Sequence, residues 1–152
     1  MIYGGIVALL VLIDQAIKYI VVTNMSENMV IQVIHGLLSF TYIKNFGIAF
    51  GMFQNKVLFF SVVTSLIAAV IVYLIYKFQT QSKAAAYCLA LILGGALGNI
   101  IDRIRLGYVV DYISVSFFPP IFNFADCCVV VGSIVLCLLV LFDKSLLEDG
   151  KR

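Results

Sequence analysis

Carboxylate side chains stand within or beside apolar stretches of this 152-residue sequence, among them Asp14, Asp102, Asp111 and Asp126. An ionisable residue at the centre of a membrane helix costs about 2.5–3.5 kcal/mol, so each is a candidate functional group. Two carboxylates that share one water can divide the work of hydrolysis. An ionised carboxylate takes a proton from the water, and a protonated one donates to the carbonyl oxygen of the substrate.

Asp126 suits the ionised role, because it opens the apolar run CCVVVGSIVLCLLVLF and the N-terminus of a helix favours negative charge. Like-charge repulsion would push its partner toward the protonated state. From spacing alone, the partner could be Asp14, Asp102 or Asp111.

Other chemistries find less support. The sequence holds no HExxH motif and one histidine, His35, which cannot build a zinc site of the usual kind. It holds no GxSxG motif, and no serine or cysteine has a histidine beside it; catalysis by a serine paired with Lys18 stays open.

The four cysteines lie in apolar stretches without metal or disulfide spacing. The net charge of +2 does not indicate a nucleic-acid partner.

The elements that carry these residues are predicted to cross a membrane. With 63% hydrophobic and 12% charged residues, the chain cannot build a water-soluble surface. A spanning helix needs about 20 mostly apolar residues. Four windows qualify: Ile2–Val22, Val57–Phe78, Ala84–Ile101 and Phe124–Phe142. The predicted fold class is an all-α polytopic membrane protein, with residues 1–152 forming one domain.

The first window is predicted to be a permanent anchor. It lacks the basic region of a cleaved signal peptide and carries Asp14 and Lys18 inside its apolar stretch. Four spans place both termini on one side of the membrane. Five Lys and Arg residues lie on the side of the termini and four on the other side. The positive-inside rule therefore slightly favours cytoplasmic termini.

The two loops on the other side differ. Residues 23–56 contain short β-branched and aromatic stretches broken by glycines, which favours a small sheet at the membrane surface. Residues 102–123 hold the two prolines, Pro119 and Pro120, which stop any helix before the fourth span.

Polar residues converge on one leaflet in this topology. Residues three or four apart share a helix face, and the groups that do so are Asp14 with Lys18, Asn99 with Asp102 and Arg103, and Asn123 with Asp126. Gly94 and Gly98 would let another helix approach closely. We expect a shared polar pocket near the outer membrane surface.

Structural interpretations compete with this one. Asp14 and Lys18 could merely neutralise each other within the first helix. Asn123 could be an ordinary N-cap, with Asp126 favoured by the helix dipole in the first turn. Asp102 and Arg103 could be interfacial residues at a helix end.

Functional alternatives are a small proton-coupled transporter or channel, and a non-enzymatic scaffold. A transporter should have polar groups in both leaflets, whereas the second window offers little beyond Ser61, Thr64 and Ser65. A scaffold predicts that Asp111→Asn leaves function intact. The GxGD signature of another class of intramembrane aspartyl protease is absent, because GYVV precedes Asp111.

Five sequence blocks resemble a known family. In order they are DQAIK (14–18), NFGIAFG (45–51), GGALGNIIDR (94–103), VVDYI (109–113) and FNFAD (122–126). On four spans, they resemble the bacterial lipoprotein signal peptidases, also called signal peptidase II. The resemblance implies four transmembrane helices with a small extracytoplasmic β-cradle. It also implies an aspartyl endopeptidase of the inner or plasma membrane.

The same resemblance implies the substrate and the site. The enzyme would cut signal peptides from prolipoproteins, just before a cysteine that carries diacylglycerol, and would use no metal or cofactor. The implied partners are these prolipoproteins and membrane lipids, with the active site near the extracytoplasmic face. The implied catalytic pair is Asp111 and Asp126. The implied supporting residues are Asp14, Lys18, Asn45, Gly47, Asn99, Asp102, Arg103 and Asn123.

Two positions depart from the family pattern. Tyr112 stands where phenylalanine is common, and Cys127 stands where a small polar residue is usual. Neither replaces an expected catalytic carboxylate.

Overall fold

The computed structural model describes residues 1–47 and 57–142, which form four long helices and one antiparallel sheet. The elements are α1 (Ile2–Asn24), β1 (Val30–Ile34), β2 (Leu38–Asn45), α2 (Val57–Phe78), α3 (Lys83–Leu106), β3 (Val109–Val115), β4 (Phe118–Phe122) and α4 (Phe124–Phe142). Residues 48–51 of the NFGIAFG block and the segment 143–152 lie outside the described residues.

All four helices are long and apolar enough to cross a membrane, which confirms the predicted fold class. The second and fourth predicted spans have the bounds of α2 and α4, and α1 extends two residues past the predicted end. The prediction for the third span was too short, since α3 runs to Leu106 and Gly107 ends it with a φ of 77°. Apolarity alone misplaced this end, because Asp102 and Arg103 lie within the helix and not at its last residue.

The third helix is the centre of the bundle and packs against each of the other three helices. Its small residues allow this. A Cβ added at Gly94 would lie 2.9 Å from Leu10 Cβ on α1, and one at Gly98 would lie 2.5 Å from Asp14 Oδ2. The close approach predicted at Gly94 and Gly98 is therefore confirmed. On its other side α3 buries Leu89 and Leu93 against α2.

The four strands follow the order β1-β2-β3-β4, and neighbouring strands are antiparallel. Strands in the first loop were predicted and are confirmed as β1 and β2. The second loop supplies β3 and β4, which the sequence analysis missed. Pro119 and Pro120 do stop the chain from continuing as helix, yet they lie within β4. An edge strand tolerates proline, and the paired positions of β4 are Phe118 and Phe122.

The sheet lies at the end of the bundle where α1 and α3 end and α4 begins. Val21 and Met25, near the end of α1, form a buried cluster with Tyr42 of β2 and with Val110 and Tyr112 of β3. Two residues separate the end of α3 from the start of β3, and one separates β4 from α4. The polar residues of both helix ends are thus brought beside the third strand.

Gly132→Ala should destabilise the contact between α3 and α4. The added Cβ would lie 2.8 Å from Ile92 Cγ1 and 2.9 Å from the Cys88 backbone oxygen, so a helix must shift. Overpacking of this kind costs about 1–3 kcal/mol. Thermal unfolding of the purified protein in detergent measures the loss.

The matched control is Gly5→Ala in α1, where an added Cβ meets nothing within 4 Å. Alanine is the better helix former, so this variant should be as stable as the parent or slightly more stable. Equal stability of the two variants would show that the α3–α4 contact is not tight at Gly132.

Candidate active site

Asn123 contacts both aspartates that the family resemblance singles out. Its side-chain Nδ2 donates to Asp111 Oδ1 at 2.6 Å, and its backbone N–H donates to Asp126 Oδ2 at 3.1 Å. Asp111 comes from β3 and Asp126 from the first turn of α4. Among the three candidate partners left open by spacing, Asp111 is therefore the one that shares a contact residue with Asp126 in this way.

Asn123 also caps α4. Its Oδ1 accepts the Asp126 N–H at 3.0 Å, while Asp126 Oδ2 accepts the Asn123 N–H, which is a reciprocal capping arrangement. The N-cap interpretation of Asn123 is thus confirmed. It does not compete with a role in the site, because capping uses Oδ1 and the backbone while Nδ2 stays free to reach Asp111.

Neutral amide groups hold the remaining carboxylate oxygens. Asn45 Nδ2 donates to Asp111 Oδ2 at 2.7 Å, and Asn99 Nδ2 donates to Asp126 Oδ1 at 2.8 Å. The Gly47 N–H donates to Asn45 Oδ1 at 3.0 Å and so fixes which end of that amide faces Asp111. Neutral donors orient the two carboxylates without adding a charge at either of them.

The two carboxyl groups differ in their surroundings. Asp111 is 3% exposed, whereas Asp126 is half-buried. Burial, and to a smaller extent the nearby charge of Asp126, raises the pKa of Asp111, whereas the hydrogen bonds from Asn45 and Asn123 and the charge of Lys18 lower it; the net pKa is about 7. Near neutral pH, Asp111 can therefore carry a proton.

A second polar cluster surrounds Lys18. Its Nζ donates to Asp14 Oδ2 and Asp102 Oδ2, each at 2.9 Å, and to Asn99 Oδ1 at 2.8 Å. These three contacts occupy all the donor hydrogens of an ammonium group. The pair within α1 is therefore confirmed, but Lys18 also joins α1 to α3. Neutralisation within one helix does not describe it fully.

Asn99 connects the two clusters. Its Oδ1 accepts from Lys18 Nζ and, at 3.2 Å, from Asn123 Nδ2, while its Nδ2 donates to Asp126. Arg103 is half-buried nearby, where its charge interacts with the carboxylates of Asp126, Asp111 and Asp102. The predicted site residues are thus brought to one place.

Two contributors were missed. Gln15 Nε2 donates to Asp102 Oδ1 at 2.9 Å, and the Tyr112 hydroxyl accepts the Phe124 N–H at 3.2 Å. Gln15 carried a usable signal, because it is a polar residue inside a predicted apolar span. Tyr112 was noted as a departure from the family pattern, and the contact it makes depends on how β3 packs against α4.

The arrangement is suited to proton transfer at one end of the bundle. Among the described residues, the buried polar side chains all belong to this site: Asp14, Lys18, Asn99, Asp102, Asp111 and Asn123. None of them lies in α2. A transporter with a polar path through both leaflets would need buried polar side chains there. In the part of the chain that the structure describes, no group of three or more His, Cys, Asp or Glu side chains could hold a metal ion.

Comparisons with known proteins show which family the chain resembles. A family model described as signal peptidase (SPase) II matches residues 6–142. A lipoprotein signal peptidase of Caldanaerobacter subterraneus subsp. tengcongensis is 47% identical over 137 residues, which cover 90% of this chain and 94% of the relative. Another, of Enterococcus faecalis, is 41% identical over 152 residues, which cover 99% and 94%.

A solved structure is similar as well. It is described as a bacterial membrane enzyme determined by the in meso method, and it matches with a TM-score of 0.83 and 32% sequence identity. The match covers 99% of this chain and 93% of that one. Both the helices and the sheet of the chain therefore have a counterpart of known structure.

Lys18→Met should destabilise the protein by roughly 3–5 kcal/mol, because it leaves Asp14 and Asp102 buried without their shared cation. The matched control is Lys44→Met, which breaks the partly exposed ion pair with Glu27 and should change stability little. Thermal unfolding in detergent compares the two variants. If both variants unfold at the same temperature, the buried ion pairs of Lys18 do not stabilise the helix bundle.

Proposed function

Because the chain belongs to the signal peptidase II family, we propose that it is an aspartic endopeptidase with Asp111 and Asp126 as its catalytic pair. Its family is one of proteases, and the chain is a multi-pass membrane protein. The observation that carries the assignment is the contact of Asn123 with both carboxylates. Asn45 and Asn99 support the assignment, because each donates to the carboxylate oxygen that Asn123 does not contact.

In the proposed reaction the two carboxyl groups have different protonation states. Asp126 is ionised, because the helix N-terminus favours negative charge, and it takes a proton from a water bound between the two groups. Asp111 is protonated and donates to the oxygen of the scissile carbonyl as the hydroxide adds to its carbon. The C–N bond of the tetrahedral intermediate then breaks, and the departing amine takes the proton held by Asp126. As the carbonyl reforms, one hydroxyl of the intermediate returns a proton to Asp111, which restores both groups.

The proposed substrate is a prolipoprotein whose cysteine carries diacylglycerol, cleaved just before that cysteine. Its acyl chains partition into the bilayer, which concentrates the substrate at the protein. The proposed orientation places the termini in the cytoplasm of a bacterial cell and the sheet at the extracytoplasmic face of the inner or plasma membrane. The dyad, at the sheet end of the bundle, would then meet the cleavage bond near that surface.

The supporting residues take two proposed roles. Asn45, Gly47, Asn99 and Asn123 hold the carboxylates in a reactive orientation by hydrogen bonds. The remaining four brace the helices around them or balance the charge of the pair: Asp14, Lys18, Asp102 and Arg103.

Asp111→Asn and Asp126→Asn should each lower cleavage of a diacylglyceryl-modified prolipoprotein by about 10²–10⁴-fold or more, since each removes one proton-transfer group. Purified protein in detergent is incubated with the modified substrate and with its unmodified form. Only the modified form should be cleaved. Unfolding temperatures confirm that both variants are folded.

The matched control is Glu27→Gln, which neutralises a carboxylate in the outer ion pair with Lys44 and should retain activity. Cleavage at the parental rate by either aspartate variant would contradict the proposed catalytic pair.

The rate should fall as the pH rises through the pKa of Asp111, near 7, because the proton that it donates is then lost. Charged groups facing Asp111 are Asp126 of α4, Lys18 of α1 and Arg103 of α3. Asn45→Leu removes a donor that stabilises the ionised form, so the pKa of Asp111 should rise. The alkaline limb of kcat/KM should therefore move to higher pH.

The control for this measurement is His35→Ala, which replaces the one histidine of the sequence. His35 is exposed in the turn after β1, and its loss should leave the alkaline limb in place. A limb that stays fixed in Asn45→Leu, or that moves in His35→Ala, would show that Asp111 does not control it.

A further inference from the structure

We propose that Gln15 is a positioning residue for Asp111 and that it acts through Asp102. This inference rests on the proposed function, since it assigns Gln15 a part in placing one member of the catalytic pair. Gln15 lies on α1 within the DQAIK block, and Asp102 lies on α3 within the GGALGNIIDR block. Neither residue touches the Asp111 carboxyl group in the contacts described above.

The Gln15 amide makes contacts at both ends. Its Nε2 donates to Asp102 Oδ1 at 2.9 Å, and also to the Gly98 backbone oxygen and Asp14 Oδ2, each at 3.2 Å. Its Oε1 accepts from Arg105 Nη1 at 3.1 Å. Because a cation takes the oxygen, the nitrogen is directed toward the carboxylates. The amide is therefore held in one orientation.

Asp102 connects the Gln15 amide to the third strand by hydrogen bonds. It is 2% exposed, and its Oδ2 accepts both the Lys18 ammonium and the Val110 backbone N–H, the latter at 3.1 Å. Oδ1 accepts from Gln15. With both oxygens held, the carboxylate cannot rotate away from Val110 without losing a charge-assisted contact.

Val110 immediately precedes Asp111, and its N–H donates to Asp102 Oδ2. Val110 lies opposite Lys44 in the register of β2 with β3, and the register of β3 with β4 begins only at Ile113. Val110 is 1% exposed, and a buried N–H without an acceptor costs about 1–3 kcal/mol. Asp102 supplies the acceptor across the two-residue link of Gly107 and Tyr108. This hydrogen bond therefore joins the start of β3 to α3.

The position of Asp111 depends on the hydrogen bond between Asp102 and Val110. A misplacement of about 1 Å at a reacting group can cost about 10²-fold in rate. If Gln15 is replaced by an apolar side chain, Asp102 Oδ1 loses its donor and the carboxylate can turn. Val110 would then be held less firmly, and the Asp111 carboxyl would be less well aligned and less fully buried.

The test variant is Gln15→Met, which keeps the length of the side chain and removes both its donor and its acceptor. We expect kcat for the diacylglyceryl-modified prolipoprotein to fall about 10- to 100-fold, while KM stays within about 2-fold. We also expect the alkaline limb of the pH profile to move to lower pH, because reduced burial lowers the pKa of Asp111. A purely structural role would lower the unfolding temperature without moving this limb.

Two comparison variants accompany it. Gln79→Met removes the hydrogen bond from Gln79 Nε2 to the Tyr76 oxygen after the end of α2 and should match the parent protein in kcat, KM and pH profile. Arg105→Gln removes the cation that orients Gln15 from an exposed position, so it should fold normally. It should lower kcat by a smaller factor and move the alkaline limb in the same direction as Gln15→Met.

The outcomes separate this inference from the proposed function. Parental kcat and an unmoved limb in Gln15→Met overturn the inference, as does a rise in KM alone or a lowered unfolding temperature alone. If Gln15→Met does not fold, an unmoved limb in Arg105→Gln overturns it. Inactive Asp111→Asn together with fully active Gln15→Met rejects only the role of Gln15, whereas active Asp111→Asn rejects the catalytic pair itself.

Discussion

Every polar group buried in an apolar bundle needs a partner, and this requirement organises the end of the molecule where the sheet and the helices meet. Among the described residues, no buried side-chain nitrogen or oxygen lacks a hydrogen-bond partner. The contacts form one connected network, in which Lys18 reaches Asn99, Asn99 reaches Asn123 and Asn123 reaches Asp111. Because half-satisfied networks are costly in such surroundings, each member restricts the positions of its neighbours.

The network divides into a charged part and a neutral part. Lys18 balances the carboxylates of Asp14 and Asp102 through direct ion pairs, so these groups are suited to hold helices together. Asp111 and Asp126 instead receive neutral donors from asparagines and the backbone. A carboxylate held by neutral donors keeps the ability to exchange a proton, and the deep burial of Asp111 favours its protonated form. This division is the physical basis of the proposed roles.

Helix packing and site chemistry depend on the same small residues. Gly98 leaves room for the Asp14 carboxylate beside α3, since an added Cβ would lie 2.5 Å from Asp14 Oδ2. Gly95 allows the backbone of Ala125 to approach α3, and the Ala125 N–H donates to Asp14 Oδ1 at 3.2 Å. The start of α4, which carries Asp126, is therefore held by an acceptor that belongs to α1. Close packing in the membrane and the placement of the acidic pair are one arrangement.

The sequence by itself determined the membrane class, the four spans, the presence of strands in the first loop and the gathering of polar residues at one end. These follow from apolar length and from helical offsets, which are properties of single elements. Spacing left Asp14, Asp102 and Asp111 open as partners of Asp126, and the resemblance to the family implied Asp111. The sequence analysis missed β3, β4 and the last turn of α3. The contacts of Gln15 and Tyr112 were also missed. Only the tertiary structure showed these elements and contacts, because they depend on how separate segments pack against one another.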